Sequence, residues 1–333
     1  MSKSAVTASR RGILAGGALL AVAGASAAPA QAQTKAAVVW SQEYWANKGA
    51  VKLYIYRKRI GAPTKGKAGK PVVFLIHGST LAGRSTYDLK AGDQDFSMMD
   101  MLARAGFDVW TMDHEGYGHS SHTESNGDLE AGVADIVAAM TVIEAETGQS
   151  KIHFFGESSG ALRVGMYANR HPEKIDKLIL AALSYTGIGS PTLIERAKQL
   201  DYWRSHNRRP RDRAMISSIF TRDGLTASPA IVDKLVTDEM KFGDSVPTGT
   251  YLDMTSKLPV VDPLKIKSPT LILRGEHDGI ATIVDVMDFY KKVPGDEKQL
   301  ALVPGAHTLV QGPGYRQMWH TVRAFLTMPL QEG

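Results

Sequence analysis

The chain alternates short apolar runs with amphipathic stretches, which predicts strands that alternate with helices. In the stretch 129–146, side chains on one helical face are apolar, namely Val133, Ile136, Val137, Met140 and Ile143. The apolar runs that predict buried strands lie at 72–76, 107–112, 151–155, 177–181, 268–274 and 299–303, and further helices are expected at 159–169 and 315–325. This alternation favours one α/β domain with a mostly parallel central sheet flanked by helices.

The alternation breaks between the runs at 177–181 and 268–274. Helical stretches at 192–205 and 230–242 replace it. We therefore expect residues 185–263 to form a helical cap, inserted between a first part of the core (33–184) and a second part (264–333). A cap of this kind excludes water and shapes a substrate pocket.

The predicted cap carries a run of basic side chains. They are Arg204, His206, Arg208, Arg209, Arg211 and Arg213. Two interpretations remain open: the run is a solvated surface, or some of these arginines attract an acidic substrate.

The segment Gly156-Glu157-Ser158-Ser159-Gly160 fits Gly-x-Ser-x-Gly and joins a predicted strand to a predicted helix. The glycines allow a tight turn that holds Ser158 in a strained conformation with its hydroxyl exposed. Ser158 is therefore the candidate nucleophile. The alternative is an ordinary strand-to-helix turn.

A serine nucleophile needs a general base and a carboxylate that orients the base. In a doubly wound sheet with this type of turn, the partners follow in the order Ser, acid, His on loops after later strands. Asp278 and Glu276 both follow the run at 268–274 and are candidates for the acid. Among the ten histidines, His307 is the one that follows these residues on a loop after a strand, so it is the candidate base.

Acyl transfer also needs donors for the oxygen that becomes negative. The strand at 72–76 ends in His77-Gly78-Ser79, a sequence that allows the backbone N–H of Ser79 to face the pocket beside the N–H of Ser159. Ser79 and Ser159 are the predicted oxyanion hole. His77 is interpreted as a brace for this loop.

Taken together, His77-Gly78-Ser79, the segment 113–120, the Ser158 motif, Gly275-x-x-Asp278 and the late His307 resemble an α/β-hydrolase. The resemblance covers about residues 50–328. Within the α/β-hydrolases, the chain most resembles the branch of monoglyceride-lipase-like and carboxylesterase-like serine hydrolases. It implies the α/β-hydrolase fold, Asp278 as the acid, and a two-step hydrolysis of small-molecule esters through an acyl-enzyme, with no metal and no organic cofactor. Haloalkane dehalogenases and epoxide hydrolases of this fold carry Asp where Ser158 stands.

Other reactions remain open on the same residues. Lactone, amide or carbon–carbon bond hydrolysis, or acyl transfer to an alcohol, would use the same triad with a different cap. A non-catalytic ligand-binding α/β-hydrolase is the alternative from another class.

The amino terminus predicts export. Residues 1–32 combine positive charge before residue 12, an apolar stretch at 13–28 and the small-x-small sequence Ala30-Gln31-Ala32, as a cleaved signal peptide does. Residues 9–14 resemble the twin-arginine type. The apolar stretch is shorter than the roughly 20 residues that span a membrane, so we expect a soluble periplasmic or secreted protein, a monomer, rather than a membrane-anchored form.

Composition changes this prediction little. The chain has no cysteine, which removes disulfides and a lipid-modified cysteine. Three of the 39 basic residues precede Gln33, which leaves 36 basic against 34 acidic residues. A net charge near +2 gives no reason to expect a nucleic-acid partner.

Overall fold

The computed structural model describes residues 38–91, 94–223 and 227–329. The predicted signal peptide at 1–32 lies outside these residues.

Twelve strands are present in the described part of the chain. In chain order they are β1 (Val39–Lys48), β2 (Val51–Ile60), β3 (Val72–Ile76), β4 (Asp88–Ala91), β5 (Gln94–Ser97), β6 (Asp108–Met112), β7 (Ile152–Glu157), β8 (Ile175–Ala181), β9 (Arg208–Pro210), β10 (Ser245–Pro247), β11 (Thr270–Gly275) and β12 (Lys298–Val303).

Eight of these strands form one sheet in the order β1-β2-β6-β3-β7-β8-β11-β12. Strand β2 runs antiparallel to both of its neighbours, and every other pair in the sheet is parallel. The predicted mostly parallel sheet is therefore confirmed. Strands β4 and β5 form a separate hairpin, and β9 pairs with β10.

Eleven α-helices are present in the same residues. They are α1 (Gly83–Tyr87), α2 (Met98–Arg104), α3 (Leu129–Thr147), α4 (Ser159–Arg170), α5 (Pro191–Ala197), α6 (Leu200–Ser205), α7 (Arg213–Ser218), α8 (Pro229–Glu239), α9 (Gly249–Ser256), α10 (Ile283–Lys292) and α11 (Tyr315–Thr327). None of the described helices has both the length and the apolar composition needed to cross a membrane.

Successive side chains of a strand point to opposite sides of the sheet, and the central strands are buried on both of these faces. Phe74 and Phe154 pack on one side with helices α3, α4 and α10, whereas Leu75 and Phe155 pack on the other with α2 and α11. The central strands therefore consist of continuous apolar runs.

The apolar face predicted for the helix at 129–146 needs one correction. In α3, Val133, Ile136, Met140 and Ile143 are buried, but Val137 is 43% exposed. At 100° per residue, Val137 lies about 40° beyond the arc that the other four occupy. The sheet covers that narrower arc.

The segment between β8 and β11 contains α5 to α9 and the β9–β10 pair. We call it the inserted segment. Ile216 of α7, Phe220 after it and Leu235 of α8 belong to a separate apolar cluster that also includes Leu89 and Phe96 of the β4–β5 hairpin. The inserted segment thus packs on the core domain through a second, smaller core.

Candidate active site

Ser158 lies between β7 and α4 with φ +58° and ψ −124°. A non-glycine residue with positive φ is uncommon and strained, and such residues concentrate at functional sites. The backbone N–H of Ser158 donates to the carbonyl of Ala181 at 2.9 Å, which ties the turn to the end of β8. The predicted strand, sharp turn and helix are all present.

The two glycines of the motif are required by close backbone contact. A Cβ on Gly156 would lie 2.5 Å from the carbonyl oxygen of Gly160, and a Cβ on Gly160 would lie 2.3 Å from the carbonyl oxygen of Ile76. Neither position has room for a side chain. The helix α4 can therefore start directly against the ends of β7 and β3.

The structure brings Ser158, His307 and Asp278 together, although 149 residues separate the serine from the histidine. Oγ of Ser158 lies 2.8 Å from Nε2 of His307. Nδ1 of His307 lies 2.9 Å from each carboxylate oxygen of Asp278. In this arrangement His307 can accept the proton of the serine hydroxyl, while Asp278 orients the ring.

Asp278 is buried, whereas Glu276 is exposed. Burial raises the pKa of Asp278. The positive charge that His307 can carry, the hydrogen bond from His307 and the N–H groups of Ile280 and Ala281 together lower it by more, so the pKa of Asp278 lies below its ordinary value. Asp278 is thus held as a carboxylate. Of the two candidate acids, Asp278 is the one whose carboxylate contacts His307.

The predicted oxyanion loop lies beside the nucleophile. A Cβ on Gly78 would be 3.1 Å from Cβ of Ser158, so glycine lets the loop approach the serine. Oγ of Ser79 hydrogen-bonds with Oγ of Ser159 at 2.9 Å and with Oγ1 of Thr250 at 2.6 Å. Among the described residues, the backbone N–H groups of Ser79 and Ser159 have no protein acceptor. Two donors thus remain available for a ligand oxygen.

His77 braces this loop. Its Nε2 accepts the N–H of His114 at 3.0 Å, so in the neutral ring Nδ1 donates to the carbonyl of Gly78 at 2.7 Å. Burial, followed by the electrostatic effects of His114 and Arg163, lowers the pKa of His77 well below its ordinary value. The ring therefore stays neutral and holds Gly78 in place.

Sequence reasoning missed Glu157, which precedes the nucleophile. This buried carboxylate accepts the N–H of Leu309 at 2.7 Å and of Val310 at 3.3 Å. Burial raises the pKa of Glu157 despite those two hydrogen bonds. Its position inside the motif was visible, but its partners lie 152 and 153 residues later and no sequence pattern indicates them.

A cavity of about 210 Å³ opens at Ser158 and His307. The core side of its wall includes Ser79, Thr80, Glu157 and Gln311. The inserted segment contributes the rest of the wall, namely Arg196, Arg209, Met215, Ser218, Ile219, Arg222, Tyr251 and Met254. Of the basic run at 204–213, Arg209 is the member that lines this cavity.

The other members of the basic run have different contacts. Arg211 is buried and pairs with Glu239 at 2.7 Å. Arg208 bonds to Ser245, and the exposed Arg204 and Arg213 pair with neighbouring carboxylates. His206 stacks on a tyrosine ring at an exposed position. Arg196 and Arg222, which sequence reasoning did not single out, lie on the cavity wall instead.

No group of three or more His, Cys, Asp or Glu side chains in the described ranges is arranged to hold a metal ion.

The chain is similar to known hydrolases. Residues 92–311 match the family model described as "Serine aminopeptidase, S33". Lipase 3 of Drosophila melanogaster is 28% identical over 149 residues, which is 40% of this chain and 37% of that lipase. The chain thus spans little more than a third of the length of this relative.

Two solved structures show the same architecture. The 2-hydroxy-6-oxo-6-phenylhexa-2,4-dienoate hydrolase of a Rhodococcus species has a TM-score of 0.64 at 18% identity and covers 87% of this chain and 100% of its own. The enol-lactonase of Burkholderia xenovorans has a TM-score of 0.63 at 18% identity, with coverage of 86% and 100%. At this identity the likeness concerns the fold, and it confirms the predicted α/β-hydrolase fold.

Proposed function

Because this chain belongs to the family described as "Serine aminopeptidase, S33", we propose a hydrolytic function for it, and specifically that it cleaves carboxylic esters through an acyl-enzyme on Ser158. The observation that carries the proposal is the chain of hydrogen bonds from Ser158 through His307 to Asp278. A strained serine with a neighbouring base and two open N–H donors is the arrangement that acyl transfer needs.

In the first half of the reaction, Oγ of Ser158 attacks the ester carbonyl carbon while Nε2 of His307 takes the hydroxyl proton. The carbonyl oxygen becomes an oxyanion and accepts hydrogen bonds from the backbone N–H groups of Ser79 and Ser159. The carbon–oxygen bond to the alcohol then breaks, and His307 returns its proton to the leaving alcohol. Asp278 stabilises the imidazolium throughout.

In the second half, water replaces the alcohol. His307 takes a proton from the water, whose oxygen attacks the acyl carbon of the ester on Ser158. A second oxyanion forms at the same two N–H groups, and its collapse releases the carboxylic acid. The proton on His307 returns to Oγ of Ser158.

The charge of the cavity favours esters over peptides with a free amino terminus. An aminopeptidase must hold a substrate ammonium group, which calls for a nearby negative charge. The wall instead carries Arg196, Arg209 and Arg222. The carboxyl group of Glu157 also lies on the wall, but it already accepts hydrogen bonds from two backbone N–H groups. We therefore assign ester hydrolysis rather than aminopeptidase activity to this chain.

The size of the cavity favours small substrates. Its volume of about 210 Å³ is below the roughly 300–1,000 Å³ of pockets that enclose drug-sized ligands. A short acyl chain fits such a volume better than a fatty acyl chain. In this proposal residues 185–263 act as the cap that sets this limit, and the mature protein works as an exported monomer after removal of residues 1–32.

The test is the kcat/KM of the protein from Gln33 onward on 4-nitrophenyl esters from acetate to palmitate. We expect turnover that falls with acyl length and that Ser158→Ala lowers by about 10⁴-fold or more. Ser256→Ala is the control, because Ser256 is exposed on α9 and away from the cavity. Alanine 4-nitroanilide is expected to be a poor substrate.

Three results would contradict the proposal. Turnover of the anilide that exceeds ester turnover would assign an aminopeptidase. Absence of both ester turnover and Ser158-dependent labelling by a fluorophosphonate would indicate a binding protein, whereas labelling without ester turnover would direct the search to lactones and carbon–carbon bonds.

A further inference from the structure

Two arginines of the inserted segment lie against one tyrosine on the cavity wall, and a third arginine lines the same cavity. The guanidinium carbon of Arg196 lies 4.9 Å from the ring centroid of Tyr251, and that of Arg209 lies 4.8 Å from it. Arg222 lines the same cavity. These residues come from α5, β9 and the turn after α7, so separate parts of the inserted segment bring positive charge to one point.

Ion pairs with described carboxylates neutralise little of the charge of this cluster. Among the described residues, Arg196 and Arg209 form no ion pair, and Arg222 has only a distant contact of 3.8 Å with Asp223. Burial and the charges of Arg222 and Arg209 lower the pKa of Arg196 to about 10, although the nearby Tyr251 raises it. Arg196 therefore remains charged at neutral pH, repelled by its neighbours.

Two buried arginines of this chain have carboxylate partners, whereas Arg196 and Arg209 are half-buried and Arg222 is exposed. Arg57 pairs with Asp108 at 2.6 Å and Arg211 pairs with Glu239 at 2.7 Å, both in buried surroundings. Like charges held together without a partner destabilise a protein, so an unpaired cluster is expected where a ligand supplies the opposite charge.

The cluster is connected to the oxyanion loop. The hydroxyl group of Tyr251 hydrogen-bonds with Oγ1 of Thr80 at 2.7 Å, and Thr80 is the residue after Ser79. The same cavity contains Ser158 and His307. A small substrate with its carbonyl at Ser158 would therefore have the arginines within the same enclosed space.

We propose that Arg196, Arg209 and Arg222 form an anion-binding subsite, and that the ester hydrolysed at Ser158 carries a carboxylate in its acyl or its alcohol part. This inference rests on the proposed ester hydrolysis. Arginine suits the role because its planar guanidinium group binds a carboxylate through two parallel hydrogen bonds.

The experiment compares matched charged and neutral esters. Mono-4-nitrophenyl adipate and its methyl ester place the charge in the acyl part, and 4-acetoxybenzoate and its methyl ester place it in the alcohol part. Rates with Ser158→Ala are subtracted as the uncatalysed background. We expect the wild type to prefer the anionic member of at least one pair, and Arg196→Gln and Arg209→Gln each to lower that anionic-to-neutral ratio of kcat/KM by about ten-fold.

Three controls accompany these variants. Arg204→Gln and Arg213→Gln remove the same charge from exposed positions of the inserted segment and should leave the ratio unchanged. Arg196→Lys keeps the charge but loses the two parallel hydrogen bonds, so it should lower the ratio less than Arg196→Gln does. Added salt should lower the wild-type ratio, because it screens the attraction.

The outcomes separate the two proposals. The anion subsite would be overturned, and ester hydrolysis left intact, if the neutral esters are hydrolysed and the anionic-to-neutral ratio of kcat/KM is near one. The same conclusion would follow if Arg196→Gln and Arg209→Gln leave that ratio unchanged. Absence of Ser158-dependent turnover with all four esters would overturn the ester hydrolysis itself. Inhibition by adipate gives a second measurement, and its Ki should rise in the two Gln variants if the subsite exists.

Discussion

The carboxylate of Glu157 accepts the backbone N–H of Leu309 at 2.7 Å. This bond joins the residue before the nucleophile to a residue two positions after His307. The serine and the histidine belong to distant parts of the chain, so their separation depends on how the β7 turn and the loop after β12 are held together. Glu157 is therefore a positioning residue in the proposed mechanism.

Replacing Glu157 should test that role. Glu157→Leu leaves the N–H groups of Leu309 and Val310 without an acceptor, at a cost of about 1–3 kcal/mol in the free energy of unfolding, and should lower kcat more than it changes KM. Glu157→Gln retains a side-chain oxygen and should keep most of the stability and most of kcat. Urea unfolding and steady-state kinetics provide the measurements. Equal loss in the two variants would show that the negative charge, rather than the hydrogen bonds, is required.

The choice between the two candidate acids can be tested directly. Asp278→Asn should lower kcat by about 10⁴-fold, because an amide in place of the carboxylate favours the wrong tautomer of His307. Glu276→Gln is the matched control, since Glu276 lies two residues away on the same loop but is exposed. It should retain wild-type kcat on 4-nitrophenyl esters. A larger loss in Glu276→Gln than in Asp278→Asn would reverse the assignment.

The turn that carries Ser158 should not tolerate a methyl group. In Gly160→Ala the added Cβ would meet the carbonyl oxygens of Ile76 and His77 at 2.3 and 2.6 Å, and neither backbone atom can move freely. We expect a loss of about 1–3 kcal/mol or more in stability, as for overpacked cores, together with a loss of activity. Gly69→Ala is the control, because its Cβ would have no contact closer than 3.8 Å. Unchanged melting temperature and kcat/KM in Gly160→Ala would contradict the tight-turn interpretation.

The elements that could be predicted from sequence are those with local signals. Ser158 stands in a five-residue motif, and Asp278 and His307 follow apolar runs in the expected chain order. Continuous burial of the central strands made those runs easy to recognise. The helix α3 was predicted within one residue of its end, and its one error, Val137, concerns how wide a face the sheet covers.

The cavity wall could not be predicted in the same way. Arg196, Arg222 and Tyr251 come from three parts of the inserted segment, and their meeting depends on how its short helices pack on one another and on the β4–β5 hairpin. Neither that hairpin nor the packing has a distinctive periodic pattern. The basic run at 204–213 leaves two interpretations open from sequence, and its members divide in the structure: Arg209 lines the cavity, Arg211 has a structural partner, and Arg208 lies off the cavity wall.

Export can be tested on the full-length chain. We expect amino-terminal sequencing of the exported protein to begin at Gln33, because Ala30-Gln31-Ala32 fits a signal peptidase site. Replacing both Arg10 and Arg11 by Lys should block export if the signal is of the twin-arginine type, while Lys3→Arg should have no effect. Continued export of the double variant would indicate another route, and an intact amino terminus in the membrane fraction would indicate an anchor.

Acid should destabilise the protein through histidines that are buried without charge. Burial lowers the pKa of His153 to about 4, and Lys177 adds to the effect while Asp176 opposes it. The folded protein therefore binds fewer protons than the unfolded chain, whose histidines titrate near about 6.5. Stability that is present above pH 6.5 is then lost as the pH falls toward 4.

The size of this loss follows from the two pKa values. Between pH 7 and pH 5 a single such histidine lowers the free energy of unfolding by about 2 kcal/mol. Urea unfolding at both pH values gives the difference in the free energy of unfolding between pH 7 and pH 5. In His153→Gln this difference should be smaller than in the wild type by that amount, because the variant has no group to protonate at this position. His320→Gln, at an exposed position of α11, should keep the wild-type difference. If His153→Gln also keeps it, the histidine is protonated in the folded protein and the buried site accommodates its charge.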